Sequence, residues 1–282
     1  MHADQQPRFA MSVDVEDYFQ VWAFANVIAR ASWEGFALRV GDNTRRCLDL
    51  FDAHGAKATF FTLGWVAERD RELVKDIVSR GHELASHGYD HTKVTSQTRR
   101  EFFDDASKTK ALLEDISGTR VKGYRAAGFS IGKKTPWAYD VLAEAGYEYS
   151  SSTRPLALDH YGDAHAPQSP YERAGIIEAP VATVNILRKR VSAAGGGWFR
   201  AAPYPLSKML LKKAAASLDG PVIFYFHPWE IDPDQPRIAR APFKSKFRHY
   251  LNLDKMERRL SGLLSTFRWG RIDEALELER AL

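Results

Sequence analysis

Short apolar runs alternate with helical periodicity along this chain, and that alternation predicts an α/β fold. Two further observations agree. The length of 282 residues suits one large domain or two small ones, and α/β barrels often run this long as a single unit. The first clear apolar run emerges at an acidic cluster, Asp14-Val15-Glu16-Asp17, and the last ends in an imidazole, Phe224-Tyr225-Phe226-His227.

Taken in order, residues 8–15 read as the first strand. Asp42 is placed to cap a helix running through Asp52 and Ala53, with Leu48, Leu50 and Phe51 apolar and Gly55 as its stop. Residues 57–63 read as a buried strand, and 66–79 as a helix with Leu73, Val74 and Ile77 inward and Gly81 ending it. Residues 95–116 carry a long amphipathic pattern, with Phe103, Ala106, Leu113 and Ile116 on one stripe. A strand over 121–125, a helix opened by proline over 136–145 and a strand over 147–149 follow. Beyond Ser150 the pattern loosens. Residues 153–175 read as a long loop on the active-site side, and Gly195-Gly196-Gly197-Trp198-Phe199-Arg200 as a second irregular stretch. Residues 206–217 are helical, 221–226 a strand, 230–252 an extended excursion rich in Pro, Arg and Lys, and Asp254 opens a helix through Leu264. With no internal repeat and no low-complexity linker, the economical division is a catalytic barrel over 1–229 and an extension over 230–282 packed on it.

Hydrophobic residues make up 44% and charged residues 27%, a balance that argues against disorder. The net charge of +4 is mild, and the basic clusters are short and lack interleaved aromatics, so no nucleic-acid partner is expected. Cys47 is the only cysteine, which rules out an intrachain disulfide. Neither a secretion signal nor a membrane-length apolar run is visible, so the expectation is a soluble cytoplasmic protein. No phosphate-binding loop follows Gly195 to Gly197, and no Gly-x-Ser-x-Gly elbow supports a serine esterase.

The densest chemistry lies in Gly81-His82-Glu83-Leu84-Ala85-Ser86-His87-Gly88-Tyr89-Asp90-His91. His87 and His91 stand four apart, so on one helical turn both rings would leave the same face and converge on one ion. His82 reads instead as a packed or hydrogen-bonded residue. In the acidic cluster, residues two apart share a strand face. Asp14 and Glu16 would therefore point together into a barrel mouth, and Asp17 only if the strand has already turned. Two histidines, a carboxylate and a further histidine are what a metal-assisted hydrolase needs.

With these motifs in their order, the chain resembles polysaccharide deacetylases of carbohydrate esterase family 4, in the branch associated with exopolysaccharide and exosortase gene clusters. The stretches Gly-Gly-Gly-Trp-Phe-Arg, His-Pro-Trp-Glu-Ile-Asp-Pro and His-Tyr-Leu-Asn-Leu-Asp resemble that branch's C-terminal portion. The resemblance implies a distorted (β/α) barrel that removes acetyl groups from N-acetylated sugars with a divalent metal. Zinc suits the donors best, and Co2+, Ni2+ or Mn2+ are also accepted. It implies Asp14 as general base, His227 as the acid and Arg125 as the partner of the catalytic aspartate. It implies His87 and His91 as metal ligands, with Glu16 as the preferred third ligand and Asp17 as its rival. Tyr225 falls where the family's leucine lines the acetyl pocket, and Trp229 and Glu230 can wall the sugar site. The backbone amide of Phe129 is a candidate oxyanion donor.

The chain departs from the family pattern at Ala127, usually proline, and at Ser150, where the branch often carries an aspartate. If that aspartate tunes the acid histidine, this chain either works more slowly or recruits another carboxylate. The rings of Trp22, Trp137, Trp198 and Trp229 are candidates for sugar stacking. The implied partner is an N-acetylated oligo- or polysaccharide, and peripheral association with a membrane polysaccharide-synthesis complex is compatible with this reading. Two rivals stand beside it: a metal-dependent amidase for a small amide or cyclic imide, and a catalytically weak carbohydrate-binding protein.

Overall fold

The structure is a computed structural model that describes residues 7–156, 162–187 and 189–278. Every residue of β1 (Phe9–Val15) is buried, which requires a central strand covered on both faces. Around it lie β2 (Thr59–Thr62), β3 (Glu83–Ser86), β4 (Gly123–Tyr124), β5 (Tyr149–Ser150), β6 (Tyr171–Arg173) and β7 (Ile176–Glu178). β8 (Thr183–Ile186) and β9 (Lys189–Ser192) form a separate antiparallel hairpin. β10 (Val222–Phe226) and β11 (Trp269–Gly270) return to β1.

The main sheet runs β10-β1-β2-β3-β4-β5-β7-β6, with β11 also on β1, and only the β6–β7 pair is antiparallel. Just past β7, Val181 bridges Ile223 of β10, and the amide of Ala182 donates to the Ile223 carbonyl at 3.1 Å. The sheet thus curls back on itself, and the expected distorted (β/α) barrel is what the chain forms. Because the barrel strands are parallel, their C-terminal ends open on one rim, where a barrel of this kind carries its chemistry.

The helices are α1 (Val40–Ala53), α2 (Gly64–Arg69), α3 (Arg71–Ser79), α4 (Arg99–Ser117), α5 (Ala138–Glu144), α6 (Gly196–Ala201), α7 (Tyr204–Ser217), α8 (Phe243–Tyr250), α9 (Leu253–Leu264) and α10 (Ile272–Ala275). Several expectations change in detail. The single helix read over 66–79 is two, because Asp70 leaves helical geometry and its carboxylate accepts from the Leu73 amide, restarting the chain as α3. α4 begins at a capping box, with Thr98 and Glu101 satisfying each other's backbone amides. Its buried stripe uses Phe102 rather than Phe103. The glycine run is helical from Gly196, and the excursion after Glu230 contains α8. Of the long loop expected over 153–175, residues 157–161 lie outside the described residues, while Tyr171–Arg173 is β6.

Candidate active site

Each chemical side chain of the candidate site sits on or just beyond the C-terminal end of a barrel strand. Asp14 lies in β1 and Glu16 just past it, His87 follows β3, Arg125 follows β4, Ser151 follows β5 and His227 follows β10. Alternation along β1 turns Ser12 and Asp14 to the same side, and the buried Arg125 guanidinium joins them. Its Nη1 donates to Asp14 Oδ1 at 2.6 Å and to Ser12 Oγ at 2.9 Å. Its other nitrogens donate to the Ser151 carbonyl at 2.9 Å and Ser151 Oγ at 2.8 Å. A fully buried arginine is costly unless each donor has a partner, and here the serine stretch supplies them. Sequence reasoning did not single out Ser151.

Glu16, His87 and His91 each offer a ligand atom, and all three atoms lie within 4.8 Å of one another. The histidines do not share a helical turn, as the spacing suggested. They belong to the loop after β3, and left-handed Gly88 (φ 73°) and His91 (φ 60°) fold that loop back on itself. The amides of Gly64 and Trp65 donate to the carbonyls of Gly88 and Tyr89, tying the loop to α2. His87 Nδ1 lies 2.8 Å from the Arg125 carbonyl. A carbonyl only accepts, so Nδ1 carries the proton and the Nε2 lone pair is left for the cluster.

Asp17 is not part of this cluster. Its carboxylate accepts from the amides of Arg39 at 2.7 Å and Val40 at 2.9 Å, and from Tyr18 at 2.8 Å. It caps α1 in place of Asp42, which lies inside the first turn. Asp17, held in that cap, is therefore not placed to share an ion with His87 and His91, whereas Glu16 is. His82 behaves as expected: its Nδ1 accepts from the Ala58 amide at 3.1 Å, away from the cluster.

His227 faces the carboxylates, with Nε2 3.4 Å from Glu16 Oε1 and 3.9 Å from Asp14 Oδ2. Its Nδ1 is 2.8 Å from Glu230 Oε1, which also accepts from the His227 amide at 3.1 Å. Glu230 in turn accepts at 2.6 Å from Arg200, and both side chains are buried. Arg200 further donates to the carbonyls of His249, Leu251 and Arg248. His227 therefore has a buried carboxylate partner in Glu230. Ser150 Oγ bonds Ser152 Oγ at 2.7 Å, so the position that lacks an aspartate is filled by a hydroxyl network. Arg200 was missed at the sequence level, and Glu230 was read only as a wall. The signal was present in the glycine run: a Cβ on Gly196 would lie 2.0 Å from Glu230 Oε1, and one on Gly195 2.8 Å from the Tyr225 ring.

The charges are set by these neighbours. Burial alone would raise the Glu16 pKa, but His91, His227 and His87 hold it down at about 2. Burial lowers His87 to about 4, so its ring is neutral and able to ligate at neutral pH. Burial would also lower His227, yet Glu16, Glu230 and Asp14 outweigh it and raise that pKa to about 9.

A cavity of about 500 Å³ opens over this site, lined among others by Trp22, Phe129, Tyr225, Trp229, Lys244 and Arg248. Tyr225 accepts from Arg154 at 2.9 Å and its ring meets Phe129 edge-on at 4.9 Å. Trp229 stacks on His227 and on His249, and its Nε1 reaches Glu16 Oε1 at 3.4 Å. The Phe129 amide donates to the Ala126 carbonyl at 3.0 Å, so its role as an oxyanion donor is corrected; its ring remains a wall. Of the other tryptophans, Trp137 packs edge-on against Phe102 and Trp198 is partly exposed on α6.

Comparison with known proteins agrees with the geometry. Residues 35–150 match the family model for polysaccharide deacetylase, and residues 151–277 match Domain of unknown function (DUF3473). Residues 35–150 are thus similar to the polysaccharide deacetylase family. The chain is 32% identical over 115 residues to the peptidoglycan deacetylase of Helicobacter pylori, a stretch covering 41% of this chain and 33% of that protein. The chain thus matches about a third of that relative's length. In fold it is similar to a Mycobacterium smegmatis structure described as a polysaccharide deacetylase, with TM-score 0.62 and 18% identity, covering 100% of this chain and 93% of that one. It is also similar to a CE4 family pseudoenzyme from Bacillus anthracis, with TM-score 0.50 and 13% identity, covering 97% of this chain and 66% of that one. His227, Glu230 and Arg200 all fall in the DUF3473 stretch, whose β10 pairs along β1, while β1 itself, with Asp14, precedes both matched regions.

Proposed function

We propose that this chain is a metal-dependent N-deacetylase that hydrolyses the acetamide of an N-acetylhexosamine in an exopolysaccharide or its precursor. The observation that carries this reading is the convergence of Glu16, His87 and His91 beside the Asp14–Arg125 pair and His227. The donors fit a divalent cation. Glu16 Oε2 is buried 2.9 Å from His91 Nε2 yet makes no directed hydrogen bond, leaving an acceptor aimed at the cluster. Zinc is the preferred ion for a His2–carboxylate set, and when bound such an ion polarises a carbonyl and acidifies water.

The residues divide the proton work. Asp14, fixed by Arg125, takes a proton from the attacking water as its oxygen bonds the acetamide carbon. His227, oriented by Glu230, gives a proton to the nitrogen as the C–N bond breaks, leaving acetate and a free amine. Tyr225, Phe129 and Trp229 wall the cavity against which the acetylated sugar would rest. The Glu230 carboxylate supports catalysis over the weak-binder reading, because Ser150 no longer leaves His227 without a charged partner.

The cavity's opening to solvent and its aromatic lining support a polymeric substrate over a small amide. Among the described residues no helix is long and apolar enough to cross a membrane. Metal-loaded protein should release acetate from N-acetylated oligosaccharides, and chelation or His87→Ala should abolish that release. Turnover that survives both treatments would contradict the proposal.

A further inference from the structure

Residues 236–250 hold five basic side chains, Arg237, Arg240, Lys244, Lys246 and Arg248, and no acidic one. Most of this stretch is α8, packed beside the cavity: His249 is buried against Phe24 and Trp229, and Lys244, Ser245 and Arg248 line the cavity wall. The opposite face carries an apolar pair. Phe243 is 81% and Phe247 57% exposed, one helical turn apart, with their rings stacked at 6.4 Å. Two large apolar rings facing water beside a one-sign charge band call for an explanation, since a folded chain ordinarily covers such groups.

We propose that α8 is an interfacial helix that docks the rim of the cavity on an anionic lipid bilayer. The charge band complements lipid phosphates, and Phe243 and Phe247 are the rings that enter the headgroup boundary. Phenylalanine suits that role better than glycan stacking, because it has no polar edge to share with sugar hydroxyls. Docked this way, α8 holds the cavity beside the bilayer, within reach of saccharide at the membrane surface. This adds the location of the substrate to the proposed deacetylase reading, but binding is read without turnover, so the two stand or fall separately.

The test is co-sedimentation of the full chain with vesicles of phosphatidylcholine alone and of phosphatidylcholine mixed with phosphatidylglycerol, at low and high salt, with a soluble polyuronate as a parallel ligand. The chain should partition onto the mixed vesicles at low salt and come off at high salt. Phe243→Ser with Phe247→Ser should weaken partitioning at least about tenfold, and Lys246→Gln about fivefold. Both variants should keep the thermal midpoint and the hydrolysis of soluble oligosaccharide. Equal binding to neutral vesicles, no binding to either, or binding untouched by these substitutions would overturn the proposal. Capture by the polyuronate through the same residues, without vesicle binding, would overturn it in favour of a glycan surface.

Discussion

Arg200 and Glu230 form a buried ion pair whose second task is to hold His227, and removing one partner separates the two roles. Arg200→Met leaves the buried Glu230 carboxylate with His227 alone, and breaking such a pair costs about 3–5 kcal/mol. The same substitution strips a donor from the carbonyls of Arg248, His249 and Leu251. Glu230→Gln should cost a similar amount, because the Arg200 charge is then stranded instead. The double variant leaves neither charge unpaired, so its loss should be close to that of one single variant, a coupling of about 3 kcal/mol. Urea denaturation of the four proteins measures this cycle. Turnover adds the second reading: Glu230→Gln should lower kcat by about 10²–10⁴-fold with little change in KM, because His227 loses the negative charge that helps keep it protonated. Additive stability losses, or full turnover in Glu230→Gln, would refute the reasoning.

Four further outcomes follow from the geometry. Asp14→Asn should lower acetate release by about 10²–10⁴-fold without loss of fold, measured by initial rates and circular dichroism. Asp17→Ala should cost about 1–2 kcal/mol in urea denaturation by uncapping α1, while metal uptake by calorimetry stays intact. Gly196→Ala should destabilise by about 1–3 kcal/mol and slow turnover, since the added methyl would displace Glu230. His82 is buried and neutral, with its pKa lowered to about 4 by burial, so its contribution is present above the ordinary value of 6.5 and lost as pH falls toward 4. His82→Gln should flatten that part of the acid limb of a stability–pH curve, by up to about 3 kcal/mol.

The parts of this molecule that were legible in the sequence are those fixed by local pattern. Asp14 and Glu16 both line the cavity, as their spacing of two suggested, although Glu16 lies past the end of β1, and the apolar run ending at His227 is the strand β10. The spacing of His87 and His91 pointed to convergence, but the loop that achieves it depends on left-handed backbone at Gly88 and on bonds to α2, which spacing does not express. Asp17 was undecidable from its neighbours because its partners, the amides of Arg39 and Val40, are more than twenty residues away. The glycine run looked irregular because glycine is a poor helix former. Its helix persists because Gly195 and Gly196 let the backbone approach Tyr225 and Glu230 closely. The brace on His227 is tertiary throughout: Arg200 lies thirty residues from Glu230, and only the folded rim joins them.

The central claim is that Glu16, His87 and His91 hold one divalent cation beside Asp14 and His227. Anomalous diffraction at the zinc edge, from crystals of the chain grown with zinc, tests it directly. A single strong peak within bonding distance of those three side chains is the predicted result. A peak on Asp17, or none in the rim between β1 and β3, would contradict it.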